Sequence, residues 1–205
     1  MSLTASELEF VSPRSALWRA FDASSKTELF STAVNTPDAT WLIDPIPLAP
    51  TALSELKDCR PRVQGIVVTN QNHWRASSSL AEQFSVPIFA HPEAKADGRP
   101  SFMSLSDGQQ LGDLLEVMSI EGAAPGEIAL VAYADPSVLI VGDALINFEP
   151  YGFTFLPRKY CTNYGKMLQS LKRLGEIDVE QIFFAHGLPI LYNGTRRLKT
   201  LLDEV

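Results

Sequence analysis

Residues 63–69 read Val-Gln-Gly-Ile-Val-Val-Thr, a β-branched run that stops at the polar stretch Asn70-Gln71-Asn72-His73-Trp74-Arg75 and is followed by an apparent helix from Ala76 to Phe84. Branching at Cβ restricts χ1 and packs well on a pleated surface, so the run reads as a strand. A second short apolar run, Val86–Ala90, leads into His91-Pro92-Glu93. Strand, polar loop, helix and strand in that order restrict the chain to folds that mix helices and sheets.

Similar punctuation recurs along the chain. Trp41, Leu42 and Ile43 end in Asp44-Pro45, a strand closing on an acidic turn. Leu115–Ile120 runs into Glu121-Gly122-Ala123-Ala124-Pro125-Gly126-Glu127, Val138–Val141 into Gly142-Asp143-Ala144-Leu145, and Gln181–Ala185 into His186-Gly187-Leu188-Pro189. Ala16–Phe21, Glu28–Val34 and Thr40–Ile43 read as opening strands, with Asn35-Thr36-Pro37-Asp38 as a turn. Ile128–Tyr133 and Val138–Val141 flank a hairpin turn at Asp135-Pro136-Ser137. Thr51–Asp58 reads as a short helix with Thr51 as N-cap. Met167, Leu168, Leu171 and Leu174 stand at helical spacing, as do Leu198, Leu201 and Leu202 near the C-terminus.

The ordered set of loop landmarks from Thr40 onward resembles the metallo-β-lactamase superfamily. That resemblance implies an α/β (α+β) fold, a four-layer αββα sandwich of two similar halves, each with a mostly antiparallel sheet covered by helices on its outer face. It also implies a single domain over 1–205, with a cleft where the loops of Asn70–Arg75, Gly122–Gly126, Asp143 and His186 converge.

The same resemblance implies an altered site. Family members bind two metals through His-x-His-x-Asp-His, and those four places hold Asn70, Asn72, Trp74 and Arg75. Ala123 stands where the Pro-Gly-His-Thr-Pro-Gly turn has its histidine. An amide oxygen is a poor zinc ligand, an indole only donates, and a guanidinium repels the ion. Asp143 and His186 remain, and a shifted loop would add His73 as a third ligand. No cofactor is therefore expected, with a single zinc or other divalent metal as the alternative.

Charge suggests a replacement. A buried Asp143 without its metals costs several kcal/mol or takes up a proton. Arg75 is the expected substitute cation, paired with Asp143 while Asn70, Asn72 and His186 complete the hydrogen bonds; the competing reading puts Arg75 on the exposed start of the helix. His91 before Pro92 reads as structural, Trp74 as core, and Asp44 as a loop buttress bonding backbone amides. Lys159 and Tyr160 either flank the cleft mouth or sit on a solvated loop.

Composition narrows the partners. With 24 acidic against 17 basic residues the net charge is −7, which disfavours nucleic acid. No uninterrupted run is long enough to span a membrane. The N-terminus lacks the basic-then-apolar pattern of a secretory signal. Cys59 and Cys161 are two, far apart, and suggest a reducing cytoplasm. Two function classes remain. One is a hydrolase of an ester, thioester, lactam or phosphodiester, with His186 or His73 as general base and Arg75 or Asn70 stabilising an oxyanion if no metal takes part. The other is a non-catalytic relative that binds a small, anionic ligand in the former cleft.

Overall fold

The computed structural model describes residues 3–58, 61–95 and 97–205; Cys59 and the extreme N-terminal residues 1–2 invoked above lie outside the described residues. The first sheet has seven strands in chain order: β1 (Glu9–Ser12), β2 (Ser15–Asp22), β3 (Thr27–Asn35), β4 (Thr40–Ile43), β5 (Val63–Val68), β6 (Ile88–Ala90) and β7 (Met103–Ser104). Helix α1 (Pro50–Asp58) joins β4 to β5, and α2 (Ser77–Phe84) joins β5 to β6. The pairings from β1 to β4 are antiparallel, whereas β4, β5, β6 and β7 run parallel. This corrects the expectation of a mostly antiparallel first sheet. A helical crossover returns the chain to the same end before the next strand begins, which makes neighbouring strands parallel.

The second sheet follows the order β14 (Gln181–Phe184), β11 (Val138–Val141), β10 (Ile128–Ala132), β9 (Leu115–Ser119) and β8 (Gln110–Leu111). Its pairings are antiparallel except β11 with β14. Strands β12 (Leu145–Phe148) and β13 (Gly152–Phe155) form a separate hairpin. Helices α3 (Tyr164–Gly175) and α4 (Gly194–Leu202) cover the outer face. The Asn163 side chain accepts from the Lys166 amide at 3.1 Å and caps α3. Pro50 is the first residue of α1 and Thr51 lies within the helix, so Thr51 is not its N-cap; proline suits a first helical position because its missing N–H has no intrahelical partner there.

Alternation along the strands sorts the apolar residues into three layers. Trp41, Ile43 and Val67 face Leu130, Ile140 and Phe183 between the sheets. Their neighbours Leu42, Ile66 and Val68 point the other way, toward Leu56 of α1 and Leu80 of α2. On the far side, Ile182 and Phe184 meet Met167 and Leu171 of α3 and Leu198 of α4. A period of two gives each buried strand one row for each face, so these short runs serve two cores at once. The layers are therefore helix, sheet, sheet, helix. Each fully buried Leu, Ile or Phe contributes roughly 1.5–3 kcal/mol relative to exposure. Among the described residues no helix is long and apolar enough to cross a membrane.

The sheets are tied together at one end. The Ile128 amide donates to Thr69 O at 2.8 Å, and the Phe30 amide donates to Ala185 O at 2.9 Å. The loops that leave β5, β11 and β14 emerge at this seam.

Candidate functional site

The site begins with the turn after β4. Asp44 adopts a left-handed backbone (φ 48°) and is buried, a conformation that Asp tolerates better than most residues. Its carboxylate accepts the Thr69 amide at 2.8 Å, the Thr69 hydroxyl at 2.6 Å and His73 Nδ1 at 2.9 Å. The loop-buttress reading of Asp44 thus described only part of what it does: it also orients an imidazole.

His73 therefore presents Nε2 to the other side, 3.2 Å from Asp143 Oδ1. His186 Nε2 lies 3.4 Å from the same oxygen, and the two imidazole rings are 5.4 Å apart. Asp143 Oδ2 accepts from Asn70 Nδ2 at 3.1 Å; the same nitrogen donates to Glu127 Oε2 at 2.7 Å. The Asn72 backbone amide donates to Asn70 Oδ1 at 2.8 Å and fixes the orientation of that amide group. Glu127 Oε1 accepts from the Ala144 amide at 2.9 Å. Gly142 is needed beneath this network, since a Cβ there would lie 2.6 Å from Thr69 Oγ1 and 2.7 Å from Glu127 Oε1.

This geometry brings four of the six sequence-predicted residues together and sets Asn72 and Arg75 apart. His73, Asp143 and His186 come together, with Asn70 bonding directly to Asp143. Asn72 lines the cleft but enters the polar network through its backbone. Arg75 does not pair with Asp143, nor does it lie in solvent. Its loop turns through a left-handed residue (φ 37°), and the guanidinium donates to the carbonyls of Phe30, Asp44 and Ala185. Arg75 therefore bolts the seam between the sheets through these three carbonyls. The basic side chain facing Asp143 is His73. Trp74 is buried and donates to Ala94 O at 3.1 Å, and His91 accepts from the Glu93 amide at the start of a 3-10 turn; both act in structure. Glu127 is the residue that sequence reasoning missed. Its signal was an ionisable group set directly before the five consecutive buried residues of β10.

The charged groups of this pocket act on one another. Burial opposes ionisation of His73, yet Asp143 and Asp44 outweigh it and raise the imidazole from 6.5 to about 9. Burial likewise opposes ionisation of Asp143, but His73 and His186 hold it well below the usual carboxylate range. Glu127 is raised to about 8, first by burial and then by Asp143. Burial lowers His186 below its ordinary value despite its bond to Asp143.

The cluster forms the floor of a cleft of ≈ 550 Å³, whose walls include Ile146, Phe148, Tyr151, Leu156 and Tyr160. Lys159 and Tyr160 lie at this mouth. His73 is 3% exposed, against 14% for Asp143 and 17% for His186, so the latter two are the groups a ligand reaches first. A larger groove of ≈ 890 Å³ lies on the far side of the Gly122–Glu127 turn, where Lys166 pairs with Glu121 and Arg173 with Asp107.

One ion fits this donor set and two do not. Ligand atoms of His73, Asp143 and His186 all lie within 4.8 Å of one another. Two imidazoles and a carboxylate match the three-ligand set of open catalytic sites. Trp74, Arg75 and the buried Ala123 supply nothing to a second ion.

The comparisons with known proteins agree with this architecture. A family model described as metallo-beta-lactamase superfamily matches residues 10–205. Among solved structures, the DIM-1 metallo-beta-lactamase superposes with a TM-score of 0.75 at 14% identity, covering 100% of this chain and 98% of its own. A metallo-beta-lactamase from Pontibacter korlensis gives 0.73 at 14% identity, covering 97% of this chain and 99% of its own. A metallo-beta-lactamase family protein from Thermus thermophilus gives 0.69 at 19% identity, covering 95% and 79% respectively. No curated protein matches the chain.

Proposed function

The chain belongs to the metallo-beta-lactamase superfamily, and from that premise we propose that it is a hydrolase-like member with one catalytic centre, built on His73, Asp143 and His186. The observation that carries the proposal is the convergence of ligand atoms of these three side chains within 4.8 Å, with Asp143 and His186 lining a cleft. Its substrate is a small molecule with an ester, thioester, lactam or phosphodiester linkage.

His73, Asp143 and His186 would hold a single divalent ion. When bound, such an ion supplies Lewis acidity, polarising an acyl or phosphoryl oxygen and making water acidic enough to attack near neutral pH. The chain's own residues position this chemistry. Asp44 and Thr69 fix the His73 ring so that Nε2 faces Asp143, the carboxylate–imidazole arrangement that orients ligand histidines. Asn70 holds Asp143 Oδ2, leaving Oδ1 for the two imidazoles. His186 is the more exposed imidazole, and burial lowers it below its ordinary value, which favours the neutral form that a metal ligand requires.

A second reading is supported by a separate observation. With His73 charged and the Arg75 guanidinium beside Asp44, the carboxylates of Asp44 and Asp143 are balanced without any metal, and none of the site's buried side-chain nitrogen or oxygen atoms lacks a partner. A non-catalytic protein that binds a small anion in the cleft would have the same network. Zinc, manganese and iron titration combined with hydrolysis of ester, thioester and phosphodiester substrates separates the two: stoichiometric binding with turnover supports the hydrolase, and neither supports the binder.

A further inference from the structure

The cleft continues beyond the polar cluster. Beside it lies a second groove of ≈ 390 Å³, and the two share Lys26, Thr27 and Phe148 as their common wall. Of the nine strongly exposed large apolar residues in the described chain, four stand around this double opening: Tyr151 and Tyr160 on the cleft, Phe21 and Leu188 on the groove. Phe148 packs edge-on against Tyr151, with ring centroids 5.6 Å apart, and stiffens the ridge between them. Large apolar groups gathered at one opening mark a surface that an apolar partner covers.

Charge is also unusual here. The protein carries net −7, yet the cleft rim presents Lys26 and Lys159 without a carboxylate partner among the described residues. By contrast, Arg19, Lys166 and Arg173 are all paired. Lys159 lies over the Tyr160 ring at 4.7 Å, so its ammonium stands on an aromatic face beside the apolar wall. The acidic groups nearby are Asp143, engaged with His73 and His186 on the floor, and Glu28 and Glu149 in the outer groove, where Glu28 pairs with Arg19.

We propose that the ligand of this cleft is an amphipathic acyl anion. Its acidic group lies at Lys26 and Lys159, its apolar chain runs over the Phe148 ridge onto Phe21 and Leu188, and its polar linkage faces Asp143 and His186. This substrate class rests on the reading of the cleft as the functional site, but its test needs no turnover.

Straight-chain carboxylates from hexanoate to decanoate, below their micelle concentrations, are titrated calorimetrically into the protein, with decanol as the uncharged control. A fully buried methylene strengthens binding about fourfold, so decanoate is expected to bind at least about tenfold more tightly than hexanoate, and decanol more weakly than decanoate. Phe148→Ser is expected to flatten the chain-length series, and the exposed double change Lys26→Ala with Lys159→Ala to abolish the preference for the acid over the alcohol. Affinity independent of chain length, or unaltered by the double change, overturns the proposal. So does sedimentation with phosphatidylglycerol vesicles without saturable binding of the monomeric acid, which would make the apolar rim a membrane contact. Metal content and hydrolytic rate, which decide the reading of the catalytic centre, are measured separately, so failure of one is distinguishable from failure of the other.

Discussion

Asp44→Asn isolates the charge on which the site is built. Asparagine keeps the shape and tolerates the left-handed backbone at this position, and its oxygen still accepts the Thr69 amide. What is lost is the negative charge 2.9 Å from His73 Nδ1. In the parent protein the imidazole is raised from 6.5 to about 9 by two carboxylates, a span worth ~3 kcal/mol. Because the folded value is the higher one, this contribution is complete below pH 6.5 and disappears as pH rises through about 9. If Asp44 supplies about half, the metal-free variant is destabilised at pH 6 by ~2–3 kcal/mol and at pH 9.5 by only ~1 kcal/mol, the remainder being weakened bonds to Thr69. Urea unfolding of both proteins in EDTA at the two pH values reads the difference. A loss of stability equal at pH 6 and pH 9.5 would refute the assignment of the charge to His73.

Other consequences follow from single contacts. Arg75→Met removes the donors to Phe30, Asp44 and Ala185 and should cost ~3–5 kcal/mol of stability in the same urea assay, whereas an Arg75 on the surface would cost under ~0.5. Gly187→Ala should give insoluble or unfolded protein by circular dichroism, since a Cβ there would lie 2.0 Å from Asn147 O on a backbone at φ 113°. Asp143→Asn and His186→Ala should each lower any hydrolysis detected by well over about tenfold in initial rate while keeping the parental circular dichroism spectrum, with Asp143→Asn also less stable in urea at pH 6 because it removes the other carboxylate that raises His73. Unchanged rates would place the reaction elsewhere.

The fold was legible because its signals are local. The strand runs at 40–43, 63–68, 138–141 and 181–184 are β-branched or aromatic and end in polar turns, and the helical spacing of Met167, Leu171 and Leu174 recurs on the inner face of α3. Whether neighbouring strands run parallel depends on crossovers, and the first sheet was misjudged for that reason. At the site, Asp143 and His186 follow directly from strand ends, and His73 joins them as the third ligand that a shifted loop was expected to bring, whereas the pairing of Arg75 with Asp143 did not form. Which of two adjacent side chains turns into the cleft depends on the path of one loop, and that path is set by Asp44 and Thr69, the former 29 residues before His73 in sequence. Glu127 escaped because a single carboxylate before an apolar strand resembles an ordinary turn residue until Asn70 and the Ala144 amide are brought against it.

On the proposed function, one centre made of His73, Asp143 and His186 stands in place of a two-metal site. Elemental analysis of protein purified without chelator or affinity-metal exposure tests it most directly, repeated after zinc addition and dialysis and with His186→Ala beside the parent. One equivalent of metal in the parent and far less in the variant is the predicted result. Two equivalents, or none even after zinc addition, would contradict it.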